Sequence, residues 1–431
     1  MQLRRNPAFV RFWAASTVSD FGTYLTTVAL SVLILVTLDG TALDQGAVNA
    51  ARWLPYLLFG LLAGVWVDRF RRRTVLVAGD LGRAAILAAL CVLTLLGWAS
   101  VPVLVVLMFL FGTLALAGDA AYQSFLPQLV ARPQLVRANA RLQQSETVAQ
   151  ASGGAVAGAV VALISAPFAL LIDALSYLLS GLVLLTIPSH GTAKPSTTTV
   201  RTRIAEGLRW IYGHRMLRPL ALSSHVWFIG SAMVGTVLPA LILNDLQLGA
   251  LGLGLVLGGA GIGAVLGTTL SSGWGDRWST GRVMVAARLA QPAAVVVVIG
   301  APLVAAGQAG GGSIGSWPPA VWAAFACAAL GQFLFGLAMG AEGPLEMGYW
   351  QGVTPDALIA RMSATRRSVN RGMIVVGAPL GGALATAFGP VVALGSAAAI
   401  MLAAALILAL SPFWRASAAD LLDDAAAGPA S

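Results

Sequence analysis

A chain of 431 residues with 58% apolar and 10% charged side chains, and a mean hydropathy of +0.83, is too apolar to be a string of soluble domains. The net charge of +9 would suit a nucleic-acid partner. The basic residues, however, recur between apolar runs of about 20 residues, the length that crosses a bilayer as a helix, so composition excludes nucleic acid and makes lipid the solvent.

In chain order, Arg4, Arg5 and Arg11 precede an apolar stretch that continues to about Val36, too long for the core of a signal peptide, and is read as a retained first span. Apolar runs then predict twelve spans at roughly 12–36, 46–67, 74–97, 101–121, 143–165, 167–188, 219–243, 250–273, 282–306, 318–341, 366–388 and 390–411. Breakers such as "LDGTALDQG", "GWASVP", "SAPF" and "GQAGGGSIGSWPP" fall between them. Of the 26 Lys and Arg, only Arg52, Arg83, Arg288 and Arg371 fall inside spans beyond their first two residues; Arg282, Arg366 and Arg367 sit at the very start of theirs. All the others lie in alternate segments that share one side with the N-terminus, and the intervening loops carry none. The positive-inside rule then predicts both termini in the cytoplasm and the chain in the inner, cytoplasmic membrane.

Residues 1–188 are expected to form one six-helix half and 219–411 the other. Between them, 189–218 opens with the polar "SHGTAKPSTTT" and turns helical in "RTRIAEGLRWIYGHRMLRPL". There Ile204, Leu208 and Ile211 share a face, as in a helix lying on the membrane surface. The tail, 412–431, is expected to be disordered. The halves repeat one another: "VDRFRRRTVLVAGD" from Val67 aligns with "GDRWSTGRVMVAAR" from Gly275, and "LPQLVARPQLVRANARLQQS" with "VTPDALIARMSATRRS".

Several strings carry a resemblance: "NPAFVRFW", "ARWLPYLLFGLLAGVWVDRFRRRTVLVAGDLGRA", "DALSYLLSGLVLL" and "EGLRWIYGHRMLR". In order and spacing the chain resembles the major facilitator superfamily over nearly its whole length, and within it the branch of the enterobactin exporter and macrolide-efflux proteins. The resemblance implies an all-α membrane protein of two parallel six-helix halves, working as a monomer, with a small-molecule substrate bound between the halves. The superfamily's pattern Gly-x-Leu-x-Asp-Arg-x-Gly-Arg-Lys maps onto Gly64, Asp68, Arg69, Arg72 and Arg73, with Trp66 and Arg71 departing from it. That implies a cytoplasmic gate in which Asp68 meets the positive end of span 11, a contact of about 0.3–1 kcal/mol. Asp276 and Arg277 are its counterpart in the second half. Span 5 lacks the proline of the antiporter motif, and span 4 lacks the arginine of drug antiporters.

Ionisable residues inside a bilayer are site candidates by default. Asp20, on a span that lines the cavity in this fold, is the first candidate for proton coupling, with Glu146 second. Its alternative is a permanent pair with Arg83 or Arg52. Asp20, Tyr24, Arg52 and Trp227 are candidates for the substrate cavity. Asp80, Arg83, Asp173, Arg288 and Arg371 are read as structural charges, and Glu342 and Glu346 as partners of Arg361 or Arg366. The glycines of "GLGLGLVLGGAGIGAVLG" read as close helix packing rather than a nucleotide loop. No cofactor or metal is expected. Cys91 and Cys327 sit in apolar runs, the three histidines have no ligand spacing, and no P-loop is present. The functional expectation is export of an amphiphilic drug or macrolide-like compound in exchange for protons. A siderophore or lipid-like substrate is the alternative, and a membrane sensor or enzyme a more distant one.

Overall fold

The computed structural model describes residues 3–67, 69–131, 134–188, 200–311 and 314–417. Thirteen α-helices run through them, with no strand among the described residues. They are α1 Pro7–Val32, α2 Ala42–Val67, α3 Arg72–Leu95, α4 Val101–Leu129, α5 Leu135–Ile164, α6 Ala166–Leu185, α7 Val200–Gly213, α8 Leu217–Ala240, α9 Gly249–Trp278, α10 Thr280–Ala305, α11 Pro319–Val353, α12 Asp356–Phe388 and α13 Pro390–Ala409. Eleven of the helices are long and apolar enough to cross a membrane. The twelfth long helix, α2, has 26 residues but is diluted by Asp44, Gln45, Asn49 and Arg52.

Several helices outrun their predicted spans. α11 has 35 residues and α12 has 33, whereas about 20 cross the hydrocarbon core. The extra turns lie at the arginine-rich end, where hydropathy falls but backbone hydrogen bonding continues. α1 starts where Asn6 accepts from the amides of Ala8 and Phe9 (3.1 and 3.2 Å) with Pro7 in the first turn.

The repeat extends to backbone detail. The first helix of each half ends in a π-helical turn, Leu33–Thr37 and Leu241–Asp245, followed by a left-handed residue, Asp39 or Gln247. The two π turns touch. Ser165 and Gly389, both at positive φ, make the equivalent sharp corners before α6 and α13.

Across the halves, α2 packs on α12 and α5 on α9. At the end away from the arginines, a Cβ on Gly158 would meet the backbone of Gly254, and one on Gly46 the carbonyl of Ala378, so these helices approach almost to backbone contact. The Leu43 amide also donates to Thr386 Oγ1 (3.2 Å). One continuous apolar core joins both halves at this closed end. At the arginine-rich end the apolar packing divides. One cluster around Phe9, Phe12 and Phe125 belongs wholly to the first half, and one around Trp350, Phe413 and Ile211 to the second.

Two contacts add to these expectations. Part of the apolar face of α7 packs against protein. Ile211 is buried in the second-half cluster, Trp210 Nε1 donates to Thr354 Oγ1 (3.1 Å), and Glu206 pairs with Arg361 of α12. The tail begins in order: Phe413 is buried and the carbonyl of Ala416 accepts from the Gly281 amide (2.9 Å). The residues beyond 417 lie outside those described.

Candidate functional site

Polar side chains gather where the apolar packing divides. In the first half, a cavity of about 280 Å³ is lined by Ser16, Ser19 and Asp20 of α1, Asp80 and Arg83 of α3, Asp119 and Tyr122 of α4, Glu146 of α5 and Tyr177 of α6. Asp80 and Arg83 are ion-paired, Ser180 Oγ donates to Asp80 (2.5 Å), and the Arg83 guanidinium lies over the Tyr177 ring at 4.3 Å. Half-buried Asp20 has no ion pair or hydrogen bond among the described residues. The charge that acts on it is Glu146, a second carboxylate, which among the described residues accepts from Gln143 alone (3.2 Å). The structure thus brings Asp20, Asp80, Arg83 and Glu146 into one cavity, without pairing Asp20 to Arg83 or Arg52.

The second half holds a cavity of about 220 Å³ lined by Trp227, Arg288, Glu342, Glu346, Arg366 and Arg371. Its charges are satisfied. Arg288 pairs with Glu342 and, at 3.4 Å, with Glu346, and donates to Ser223 and Ser224 (3.3 and 3.2 Å). Gln291 donates to Glu342 (2.9 Å) and accepts from Trp227, whose ring lies under the Arg288 guanidinium at 5.5 Å. Arg366 and Trp350 both reach Glu346, at 3.2 Å. Of the expected partners of Glu342 and Glu346, Arg366 is present, while Arg361 pairs with Glu206 instead.

Between the two cavities, Arg371 of α12 pairs with Asp119 of α4 at 2.5 Å, and Tyr56 of α2 donates to the same carboxylate (2.9 Å). Arg371 also lies over the rings of Tyr56 and Trp53, at 4.5 and 5.0 Å. Arg371, read from the sequence as a structural charge of span 11, links the two halves. Asp119 drew no notice in the sequence because it falls at the predicted end of span 4, in "LAGDAAY". The one available signal was charge balance, since span 11 carries an arginine with no acid on its own helix nearby.

Exposure separates the two kinds of pair. The side chains of Arg288 and Glu342 are 3% and 5% exposed, and a pair so buried costs about 3–5 kcal/mol when one partner is removed. Those of Arg371 and Asp119 are 28% and 37% exposed, and a pair so open to solvent contributes about 0–1 kcal/mol. The first is a buried tie within one half. The second is a more exposed link between the two halves.

The remaining candidates are scattered. Asp173 accepts from Thr26 and Ser176 (2.8 Å) and joins α1 to α6. Tyr24, expected beside Asp20 on the cavity face, packs its ring on Gly153 of α5 against the apolar core. Arg52 lines a third cavity, at the closed end. Of the predicted gate, Asp68 lies outside the described residues, as does the side chain of Asp276. Gly64 belongs to α2, Arg69 is exposed and Arg72 opens α3. Arg73 donates to the Leu184 carbonyl (3.1 Å) and to that of Leu185, so it caps the end of α6 in its own half rather than reaching the other. Arg277 lies over the Trp278 ring at 6.0 Å. Among the described residues no group of His, Cys, Asp and Glu could hold a metal ion.

Comparison with known proteins agrees with this architecture. The chain is 33% identical over 227 residues to the multidrug efflux pump Tap of Mycobacterium tuberculosis, covering 51% of this chain and 54% of that one. It thus spans about half the length of the curated relatives it matches, and those relatives are by name transport proteins rather than enzymes. Among solved structures, a bacterial homologue of the iron transporter ferroportin in an inward-facing state superposes with a TM-score of 0.70 at 16% identity, over 96% of this chain and all of the other. The nucleoside transporter NupG does so with 0.70 at 13%, over 96% and 100%. At these identities the likeness is one of fold. Residues 3–428 match the family described as transmembrane secretion effector, and the chain belongs to that family, within the major facilitator superfamily.

Proposed function

We propose that the protein exports an amphiphilic, drug-like molecule across the cytoplasmic membrane in exchange for protons, rocking one half against the other. The observation that carries this reading is the division of the apolar core. The apolar core is shared at one end and divides between the halves at the arginine-rich end, which the positive-inside rule assigns to the cytoplasm. A substrate entering from that side meets Asp20 and Glu146, two carboxylates with no cation paired to them among the described residues.

Such a wall can attract a cationic amphiphile or take up a proton, and the two compete for the same oxygens. Loading either one changes the charge of the cavity that Asp119, the partner of Arg371, also lines. The weak Asp119–Arg371 pair then opens or closes with the cavity, while the buried Arg288 cluster keeps the second half rigid. The multidrug pump among the relatives supports a drug-like cargo.

The test is accumulation of ethidium, a macrolide and a tetracycline in pump-deficient bacteria expressing the protein or Asp20→Asn, with and without a protonophore. Lower accumulation that both the substitution and the protonophore abolish is the expected result. Accumulation unchanged by the wild-type protein, with the protein present in the membrane, would overturn the reading.

A further inference from the structure

At the closed end, a cavity of about 170 Å³ lies between the halves, inside the joined apolar core. Thr27 and Ser31 of α1, Gln45, Asn49 and Arg52 of α2, and Leu238 of α8 line it. The Arg52 guanidinium rests over the rings of Phe111 and Trp53, at 5.3 and 5.8 Å. Among the described residues it has no ion pair and no hydrogen bond. The carboxylate that acts on it, Asp173, is already held by Thr26 and Ser176. Gln45 is 8% exposed, and its Nε2 donates to Ser31 Oγ (2.9 Å), while its Oε1 is buried without a partner.

A charged group so placed costs several kcal/mol unless something offsets it. The guanidinium presents a planar fork of donors that matches a carboxylate with two parallel hydrogen bonds. The Gln45 carbonyl, which lines the same cavity, can accept from an N–H or O–H carried on the same ligand. The volume decides how much of a ligand fits, because drug-sized molecules need about 300–1,000 Å³. A head group fits here and a whole drug does not.

We propose that this cavity is an anion subsite that binds the carboxylate end of an organic acid with an apolar body, on the side through which the substrate leaves. This deepens the export reading by making an acidic group part of what is recognised. It rests on that reading for the direction of travel, and not for binding.

The experiment uses the purified full-length protein in phosphatidylcholine nanodiscs and two probes with one aromatic body, 2-naphthoate and 2-naphthylmethylammonium, measured by equilibrium dialysis. Saturable binding of naphthoate to the wild type is expected, weakened at least about tenfold in Arg52→Gln, in line with the loss of charge-assisted hydrogen bonds. Arg52→Lys, which keeps the charge and loses the fork, should fall between. Gly235→Leu is an independent probe that leaves Arg52 in place. Gly235 lines the cavity and a Cβ there meets no atom within 4 Å, so the leucine fills the subsite without straining a helix and should also abolish naphthoate binding. The ammonium probe should be indifferent to all three substitutions and sensitive to Asp20→Asn.

No saturable naphthoate binding to the wild type, or naphthoate affinity within twofold of wild type in both Arg52→Gln and Gly235→Leu, overturns the proposal. Should Asp20→Asn leave the ammonium probe bound while Arg52→Gln releases naphthoate, the acidic wall of the export reading fails and the anion subsite stands.

Discussion

The aligned segments "VDRFRRRTVLVAGD" and "GDRWSTGRVMVAAR" end on Asp80 and Arg288, so equivalent positions of the repeat carry opposite charges. Around Asp80 the first half arranges one paired arginine, Arg83, and leaves Asp20 and Glu146 in the same cavity with no cation paired to either among the described residues. Around Arg288 the second half arranges two glutamates, two serines, a glutamine and a tryptophan, with the arginine nearly all hidden from solvent. A site that must bind and release a charge has to leave that charge incompletely satisfied. A frame that must keep its shape cannot. Under the proposed function, the first half changes occupancy and the second keeps its shape.

The largest expected effect breaks the frame. Arg288→Met leaves Glu342 buried without a cation and Glu346 with Arg366 alone, and should destabilise the protein by about 3–5 kcal/mol, read as a large drop in the thermal unfolding midpoint. Asp20→Asn loses no partner and should cost less than about 1 kcal/mol. Equal losses for the two would erase the distinction between the halves. Next, Gly254→Leu forces a side chain onto the Gly158 backbone at the closed end and should cost about 1–3 kcal/mol by overpacking, with the halves pushed apart there.

A smaller effect concerns the link between the cavities. Asp119→Asn removes a solvent-open pair worth about 1 kcal/mol at most, roughly fivefold in the balance between open and closed forms. In a Cys91→Ser, Cys327→Ser background, labelling of Asn49→Cys by an impermeant maleimide should change by up to about that factor, with little change in unfolding. The smallest effect lies outside both cavities. Glu206→Gln breaks a half-exposed pair between α7 and α12 and should move stability by no more than about 0.5 kcal/mol.

The order and placement of the twelve spans were legible because lipid imposes one requirement on every residue of a span, and that requirement is local. The ends were less so. α4 continues to Leu129 and α11 to Val353, since helices keep bonding internally after their side chains turn polar. Asp20, Asp80, Arg83 and Glu146 could be singled out from depth and charge alone, because each is costly in a bilayer whatever its neighbours. What they touch could not. Asp119 and Arg371 are 252 positions apart, and Arg288 meets Glu342 from another helix. Those partnerships depend on how each helix is rotated, which a nearly uniform apolar surface does not encode. Arg73 likewise donates to the end of α6 in its own half, a contact that the loop pattern alone does not reveal.

The central claim is that the unpaired carboxylates of the first half are the working charges. The most direct test is proton flux in proteoliposomes loaded with a pH-sensitive dye, on addition of ethidium. It compares the wild type with Asp20→Asn and with Glu206→Gln, which lies outside both cavities. The account predicts substrate-driven proton movement in the wild type and in Glu206→Gln, and none in Asp20→Asn. Undiminished flux in Asp20→Asn would contradict it.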